Sequence, residues 1–532
     1  MSTPPPPRAS QLPPEEAGSV HRHLAKSAGT VGALTAVSRV LGFVRDIVIA
    51  TAFGTGLDAE AFVVSFKIPN LLRDLVGEGA TNAAFVPVMT ECREKHPRYF
   101  WTLVSTLVLT MASILIVLTA AGIVLTPQLV ALLAPGFLHS TDPAKFPLTV
   151  KLTRVIFPYI FLIGLSALAM GVLNTLKEFK SSAWGPALLN VSIILFGYFF
   201  EPSYGPMALV IGVLVGGVLQ LAWQIPPLVK SGFKFLSPTF EYGYARKIGK
   251  LLLPRAFGSA LYQINVFVDS ILASFEQWVG PGGQSALYYS NRLFQLPLAI
   301  VGVSLAQALL PTFSTQIVRG DLEDFKKTFS ASIRSLMFLV VPAAAGLMVW
   351  SRPIVRTLFQ HGKFNGYSTD ITSCALFYYS FGLLSCCFIK VLVNAFYAMQ
   401  DTRTPVKTMV FSVALNVVLS LLLMRVLKIG GLALASSISA TVNMAFLYFR
   451  FRQRVGALDE RRLVIAFFKI ILAAAVMAGA AVWYDRMVMG PMAESARKLQ
   501  WAVLLGGIAG SAVIYYGMCR LIRVEESKSF LP

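Results

Sequence analysis

Long apolar runs separated by short polar connections recur along the whole chain. They fall at 28–53, 60–91, 101–126, 150–176, 183–200, 206–229, 247–275, 285–315, 331–351, 371–399, 405–427, 430–451, 463–484 and 500–522. A bilayer-spanning helix needs roughly 20 apolar residues. The pattern therefore predicts an all-α polytopic membrane protein with fourteen transmembrane helices. Residues 1–27 stand apart, because Pro4 to Pro7, Pro13, Pro14, Glu15 and Glu16 surround no apolar core. That stretch reads as a disordered cytoplasmic tail rather than a signal peptide.

Composition agrees with this class. Of 532 residues 55% are hydrophobic and 14% charged, with a mean hydropathy of +0.66, values that exclude a soluble globular protein of this size. The five cysteines (Cys92, Cys374, Cys386, Cys387, Cys519) lack metal-ligand or CxxC spacing, and the five histidines do not cluster. The net charge of +20 sits in short loops and no basic helix has interleaved aromatics, so it reads as topology and not as nucleic-acid binding. One alternating set of connections holds nineteen Lys and Arg, including Arg93, Lys95, Arg98 and the run Arg450 to Arg462; the other holds nine, including Lys145, Arg352, Lys363 and Arg486. The positive-inside rule places the richer set, and both termini, in the cytoplasm.

The chain also repeats itself. The segment from Gly171 to Val191 recurs loosely from Val391 to Val417, pairing Asn174 with Asn394 and Pro186 with Pro405. NAAFVPVMT (Asn82 to Thr90) echoes AQALLPTFS (Ala306 to Ser314). Two matches in the same order predict duplicated six-helix lobes, 28–230 and 231–452, followed by a two-helix appendix, 453–532. Six is an even number, so the lobes are expected to run parallel, with a central cavity between them.

The chemistry concentrates in the first two runs. Arg39, Arg45, Asp46, Lys67, Arg73, Asp74 and Glu78 interrupt them at what would be membrane depth. Each such side chain costs ~3 kcal/mol on insertion scales, so it is expected to face a protein interior or a water-filled cavity. Arg39 and Asp46 lie seven residues apart on one helical face with the small Gly42 between them, so that face can carry a charge pair and still leave room. In the second run Pro69 bends the helix, and Gly77 leaves space beside Arg73. Four cations against three acids, with Arg292 in YYSNRLFQLP added, leave a surplus of positive charge. The plain alternative is a set of internal ion pairs that fix packing. The functional one is bidentate capture of an anion by arginine, with Asp46 and Glu78 holding the guanidiniums between substrates.

Asp269 in QINVFVDSILASF, with Gln263 and Asn265 nearby, is either an internally capped acid or a cation or proton coupling site. Arg255 fits snorkelling near a helix end, and Lys390 fits either snorkelling or cavity lining. Gly212 and Gly216 form a GxxxG pair that reads as close helix packing. No nucleophile elbow, Walker loop or HExxH is present, so nothing in the sequence points to an enzyme.

SRVLGFVRD, FKIPNLLRDLVGEGATNAAFVPV, GVLNTLKEF with the later GPALLN, YYSNRLFQLP, LFQHGKF and NAFYAMQDTRTPVK together resemble the MurJ (MviN) family of lipid II flippases. That family lies within the multidrug/oligosaccharidyl-lipid/polysaccharide exporter superfamily. The resemblance implies two lobes around a V-shaped cavity, and a groove from the last two helices that accommodates an undecaprenyl tail. It places the substrate-binding residues at Arg39, Arg45, Asp46, Arg73, Glu78 and Arg292, where they would meet the pyrophosphate and the sugar-peptide head group. It further implies a bacterial inner-membrane location, no cofactor, and lipid II (undecaprenyl-pyrophosphate disaccharide-pentapeptide) as the partner. Membrane lipids and proteins of cell-wall synthesis or division are further candidate partners. Some members have a sodium site whose residues would correspond to Asp269 and Asn416.

Three departures from the family pattern matter. Glu60 stands where Asp is frequent, and Asn291 precedes Arg292 where Asp is common, which removes an ion-pair partner. Ser420, one turn after Asn416, replaces a carboxylate, so a sodium site would have one formal negative charge instead of two. Coupling to a proton or to membrane potential is then expected ahead of coupling to sodium. The rival readings are export of another lipid-linked oligosaccharide or of a drug, a polyprenyl-phosphate membrane enzyme, and a division scaffold.

Overall fold

The computed structural model describes residues 14–73, 80–239, 241–489 and 497–530, and among them it is all helix and turn, with no strand. Helix α1 (Pro14–Phe53) begins well before the first apolar run, so residues 14–27 of the expected tail continue that helix. Pro14 fits there because the first helical position needs no N–H. There follow α2 (Leu57–Arg73), α3 (Ala80–Lys95), α4 (Phe100–Val124), α5 (Thr126–Leu133), α6 (Lys145–Ile156) and α7 (Tyr159–Thr175). Next come α8 (Phe179–Phe199), α9 (Glu201–Tyr204), α10 (Pro206–Lys230), α11 (Tyr244–Ala273) and α12 (Glu276–Val279). The second half continues with α13 (Gly283–Pro297), α14 (Ser304–Val318), α15 (Leu322–Val349), α16 (Ser351–Phe359), α17 (Gly366–Ser380) and α18 (Leu383–Ala398). It closes with α19 (Arg403–Leu427), α20 (Ile429–Val455), α21 (Glu460–Tyr484), α22 (Arg497–Leu521) and α23 (Ser527–Phe530).

Ten of the described helical segments are long and apolar enough to cross a membrane, or eleven if α17 and α18, bent by 46° at their break, count as one span. This is a multi-pass membrane protein. The runs expected at 28–53, 60–91 and 247–275 are helical where described but fall outside that set, and residues 74–79 lie outside the described part.

The chain forms two compact units. One comprises Met1–Val48, Ser65–Leu129 and Val150–Ala260; the other comprises Ile49–Val64, Val130–Thr149 and Leu261–Pro532. In the first unit α8 packs along α10 through the expected glycine pair. A Cβ on Gly212 would lie 3.1 Å from Ile193 Cα, and one on Gly216 3.0 Å from Leu189 Cα, so only glycine permits this approach. The connection after α10 is tied to α4, where Ser105 Oγ accepts from Leu236 N at 3.0 Å and Thr106 Oγ1 from Thr239 N at 3.1 Å.

In the second unit the caps are local and readable. Asp321 accepts from Asp324 N at the start of α15, and Asn365 accepts from Ser368 N at the start of α17. The last two long helices seat their inner ends on Trp350, with Ala481, Met489 and Leu504 buried beside it. Tyr515 Oη donates to Phe338 O at 2.8 Å, and Arg334 Nε meets Glu526 Oε1 at 2.7 Å, fastening the chain's end to α15.

Candidate functional site

Arg45 and Asp46 sit on α1 in the first unit and are almost fully buried, at 6% and 1% exposure. Arg45 Nε and Nη2 both donate to Asp46 Oδ1, at 3.0 and 2.8 Å, and Nη1 donates to Asn190 Oδ1 on α8 at 3.0 Å. Asn190 in turn donates from Nδ2 to Ser38 O at 3.1 Å, so its amide bridges the backbone of α1 and the guanidinium. The Phe66 ring lies 6.0 Å from the Arg45 guanidinium carbon. A buried carboxylate requires a charged partner, and the adjacent arginine reaches it with two N–H groups of its rigid fork.

This corrects the expected pairing. Arg39 is exposed and makes no ion pair or hydrogen bond among the described residues; Asp46 turns instead to its sequence neighbour. A Cβ at Gly42 would make ordinary contact with Asn190, 3.5 Å from its Nδ2. Asn190 itself was visible only as the last letter of GPALLN, with no charge to mark it. The Arg73 side chain and Glu78 lie outside the described residues, Arg73 being the last residue of α2.

Arg292 belongs to the second unit. It is half-buried, its guanidinium carbon 5.2 Å from the centre of the Tyr288 ring, with Nη2 3.4 Å from Tyr288 Oη. A stacked arginine keeps its charge while an aromatic face fixes its plane.

The predicted coupling residues do come together. Asn416 Nδ2 donates to Asp269 Oδ1 at 3.2 Å, and Ser436 Oγ lies 3.5 Å from Asp269 Oδ2 and 3.4 Å from Asn416 Oδ1. Ser420 Oγ, fully buried one turn along α19 from Asn416, makes no hydrogen bond among the described residues. Carboxylate, amide and hydroxyl oxygens are the donor set of a hard cation, and they fit one with a single formal negative charge. No group of three or more His, Cys, Asp or Glu among the described residues could hold a metal ion.

One cluster escaped the sequence reading altogether. In the second unit Lys145 Nζ donates to both Glu60 and Glu276, and it lies 4.4 Å from the centre of the Phe137 ring. Glu60 Oε1 accepts from Gln284 N at 2.9 Å, at the start of α13; Glu276 Oε2 accepts from Ser140 Oγ at 2.9 Å. Lys145 and Glu60 are 1% and 2% exposed. Lys145 reads in the sequence as a loop charge, and its partners lie 85 and 131 residues away. Beside it, the loop at Gln360–Asn365 docks on the end of α1, with Lys363 N donating to Thr51 O at 2.9 Å. Gly54 (φ 60°) and Gly362 (φ 56°) meet that seam, where a Cβ would come within 2.4 Å of Lys363 O and 2.3 Å of Thr51 O.

The chain matches the model of the family described as "Lipid II flippase MurJ" over residues 49–517. The protein belongs to that family. It is 37% identical over 517 residues to a protein of Vibrio cholerae named "Probable lipid II flippase MurJ", covering 94% of this chain and 96% of that one. A Burkholderia cenocepacia protein named "Lipid II flippase MurJ" is 35% identical, covering 85% and 89%. Among solved structures, "Lipid II flippase MurJ, inward closed conformation" superposes with a TM-score of 0.77 at 25% identity, covering 92% of this chain and 99% of that one. An inward-facing multidrug transporter of the MATE family shares the fold, with a TM-score of 0.66 at 14% identity over 80% of this chain and 96% of that one.

Proposed function

We propose that this family member is a lipid II flippase, moving the undecaprenyl-pyrophosphate-linked peptidoglycan precursor from the cytoplasmic to the periplasmic leaflet of the bacterial inner membrane by alternating access. The observation that carries the reading is the family match across residues 49–517, nearly the whole chain. It is a transporter and not an enzyme.

In this reading fourteen helices cross the membrane with both termini in the cytoplasm, as two parallel six-helix lobes and a C-terminal pair that accommodates the lipid tail. Arg39, Arg45, Arg73 and Arg292 meet the pyrophosphate and head group, Arg45 being held ready by Asp46 and Asn190. Guanidinium forks match paired phosphate oxygens, and low dielectric around a buried site strengthens that match. Glu78 completes the acidic support. Asp269, Asn416 and Ser436 would hold a coupling cation, a proton ahead of sodium, because the set has one carboxylate. Such a cation would neutralise Asp269 and so bias the balance between conformations.

Depletion of the protein in cells, followed by assay of which leaflet holds lipid II, tests the function. Accumulation on the cytoplasmic leaflet is expected; unchanged periplasmic delivery would refute it.

A further inference from the structure

The two halves share more than the repeats that set their boundaries. Asp46-Ile-Val-Ile-Ala-Thr51 aligns with Asp269-Ser-Ile-Leu-Ala-Ser274 at an offset of 223, with Ile49 and Ala50 buried as Leu272 and Ala273 are. Asn190 in ALLNV (187–191) matches Asn416 in VALNV (413–417) at an offset of 226, seven residues or two helical turns beyond the register that pairs Pro186 with Pro405. So the carboxylate on α1 and the amide on α8 correspond to the carboxylate on α11 and the amide on α19.

Three differences between the copies go together. The position of Arg45 is taken by Val268, and that of Ile194 by Ser420. Helices α10 and α20 start from N-caps of the same unusual conformation, Gly205 (φ 54°, ψ −140°) and Lys428 (φ 53°, ψ −128°). Counted from those caps, Ser436 falls opposite Val213. At these aligned positions the first half has an arginine and two apolar side chains, and the second has a valine and two hydroxyls. A guanidinium brings its own N–H donors and needs only acceptors around it, here Asp46 Oδ1 and Asn190 Oδ1. A small cation brings no donors and needs extra oxygens, which Ser420 and Ser436 supply.

We infer that Asp46–Asn190 is the arginine-filled twin of Asp269–Asn416: one duplicated cation site, closed in the first half by the tethered Arg45 guanidinium, with Asn190 the positioning residue that fixes it. The assignment of the second copy rests on the coupling reading above; the assignment of the first does not.

The test uses the purified full chain and its unfolding temperature, with millimolar guanidinium compared against choline at equal ionic strength. Arg45→Ala should unfold lower than the unsubstituted protein and recover by about 2 °C or more with guanidinium, as expected when a ligand refills a native site. Neither the unsubstituted protein nor Arg45→Ala/Asn190→Leu should respond. No guanidinium-selective recovery in Arg45→Ala, or equal recovery in all three, overturns the inference. Should Arg45→Ala not fold, the second copy carries the test. Val268→Arg should then unfold no lower than the unsubstituted protein and above Val268→Met, and the opposite order overturns the inference. An unsubstituted protein whose unfolding temperature ignores sodium and lithium would count against sodium at Asp269 while leaving the Arg45 arm intact.

Discussion

Arg45 and Asn190, 145 residues apart in the chain, are joined by a 3.0 Å hydrogen bond from Nη1 to Oδ1 inside the first unit. Truncating either partner in a buried network leaves the other unsatisfied, at a cost of about 1–3 kcal/mol. Asn190→Ala should therefore lower transport by misorienting the guanidinium while the protein still inserts. Complementation of a depleted strain checks this, with membrane abundance measured in parallel.

Arginine at depth calls for an anion, and its planar fork cannot be mimicked by an ammonium. Arg45→Ala, Arg73→Ala and Arg292→Ala should each abolish complementation, and the lysine variants should restore it only in part. Normal growth with all three alanine variants would remove the arginines from the site.

Lys145 is shared by two carboxylates where water is nearly excluded. Removing one member of a buried ion pair leaves uncompensated charge and typically costs about 3–5 kcal/mol. Lys145→Met should lower the unfolding temperature more than the triple change Lys145→Met, Glu60→Gln, Glu276→Gln, which removes all the charges together. A larger loss in the triple variant would show that the cluster is not held by mutual neutralisation.

How much of this was legible beforehand differs by type of signal. Apolar periodicity marked most helices to within a few residues, because burial in lipid demands long uninterrupted runs. It gave no account of α1 starting at Pro14 or of the bend between α17 and α18. Charge at membrane depth pointed to Arg45 and Asp46, yet a helical-face argument paired Asp46 with Arg39, seven residues away, when the adjacent guanidinium reaches it with two N–H groups. Asn190 and the Lys145 cluster were illegible, since a neutral amide and a loop lysine acquire meaning only once distant segments meet. Asp269 and Asn416 were linked through family resemblance, and the structure adds Ser436, which no sequence spacing singles out.

Gly362 separates the two uses of glycine. With φ 56° and Thr51 O only 2.3 Å from a would-be Cβ, Gly362→Ala should destabilise by more than about 1 kcal/mol. Gly346, inside α15 with nothing near its would-be Cβ, should be neutral or stabilised by up to about 1 kcal/mol on the same change. Thermal unfolding of the two variants side by side checks the contrast.

Loop charge predicts orientation. In a background without the five native cysteines, a cysteine at Lys95 should be protected from an impermeant periplasmic thiol reagent, and one at Arg486 should label. The reverse result would overturn both the helix count and the orientation.

Movement of lipid II across a bilayer by this chain is measured with purified protein in proteoliposomes carrying lipid II, as the share of head groups accessible from outside as a function of time. Protein-dependent exchange, lost with Arg45→Ala, is the predicted result; head-group accessibility no faster than in protein-free vesicles would contradict it.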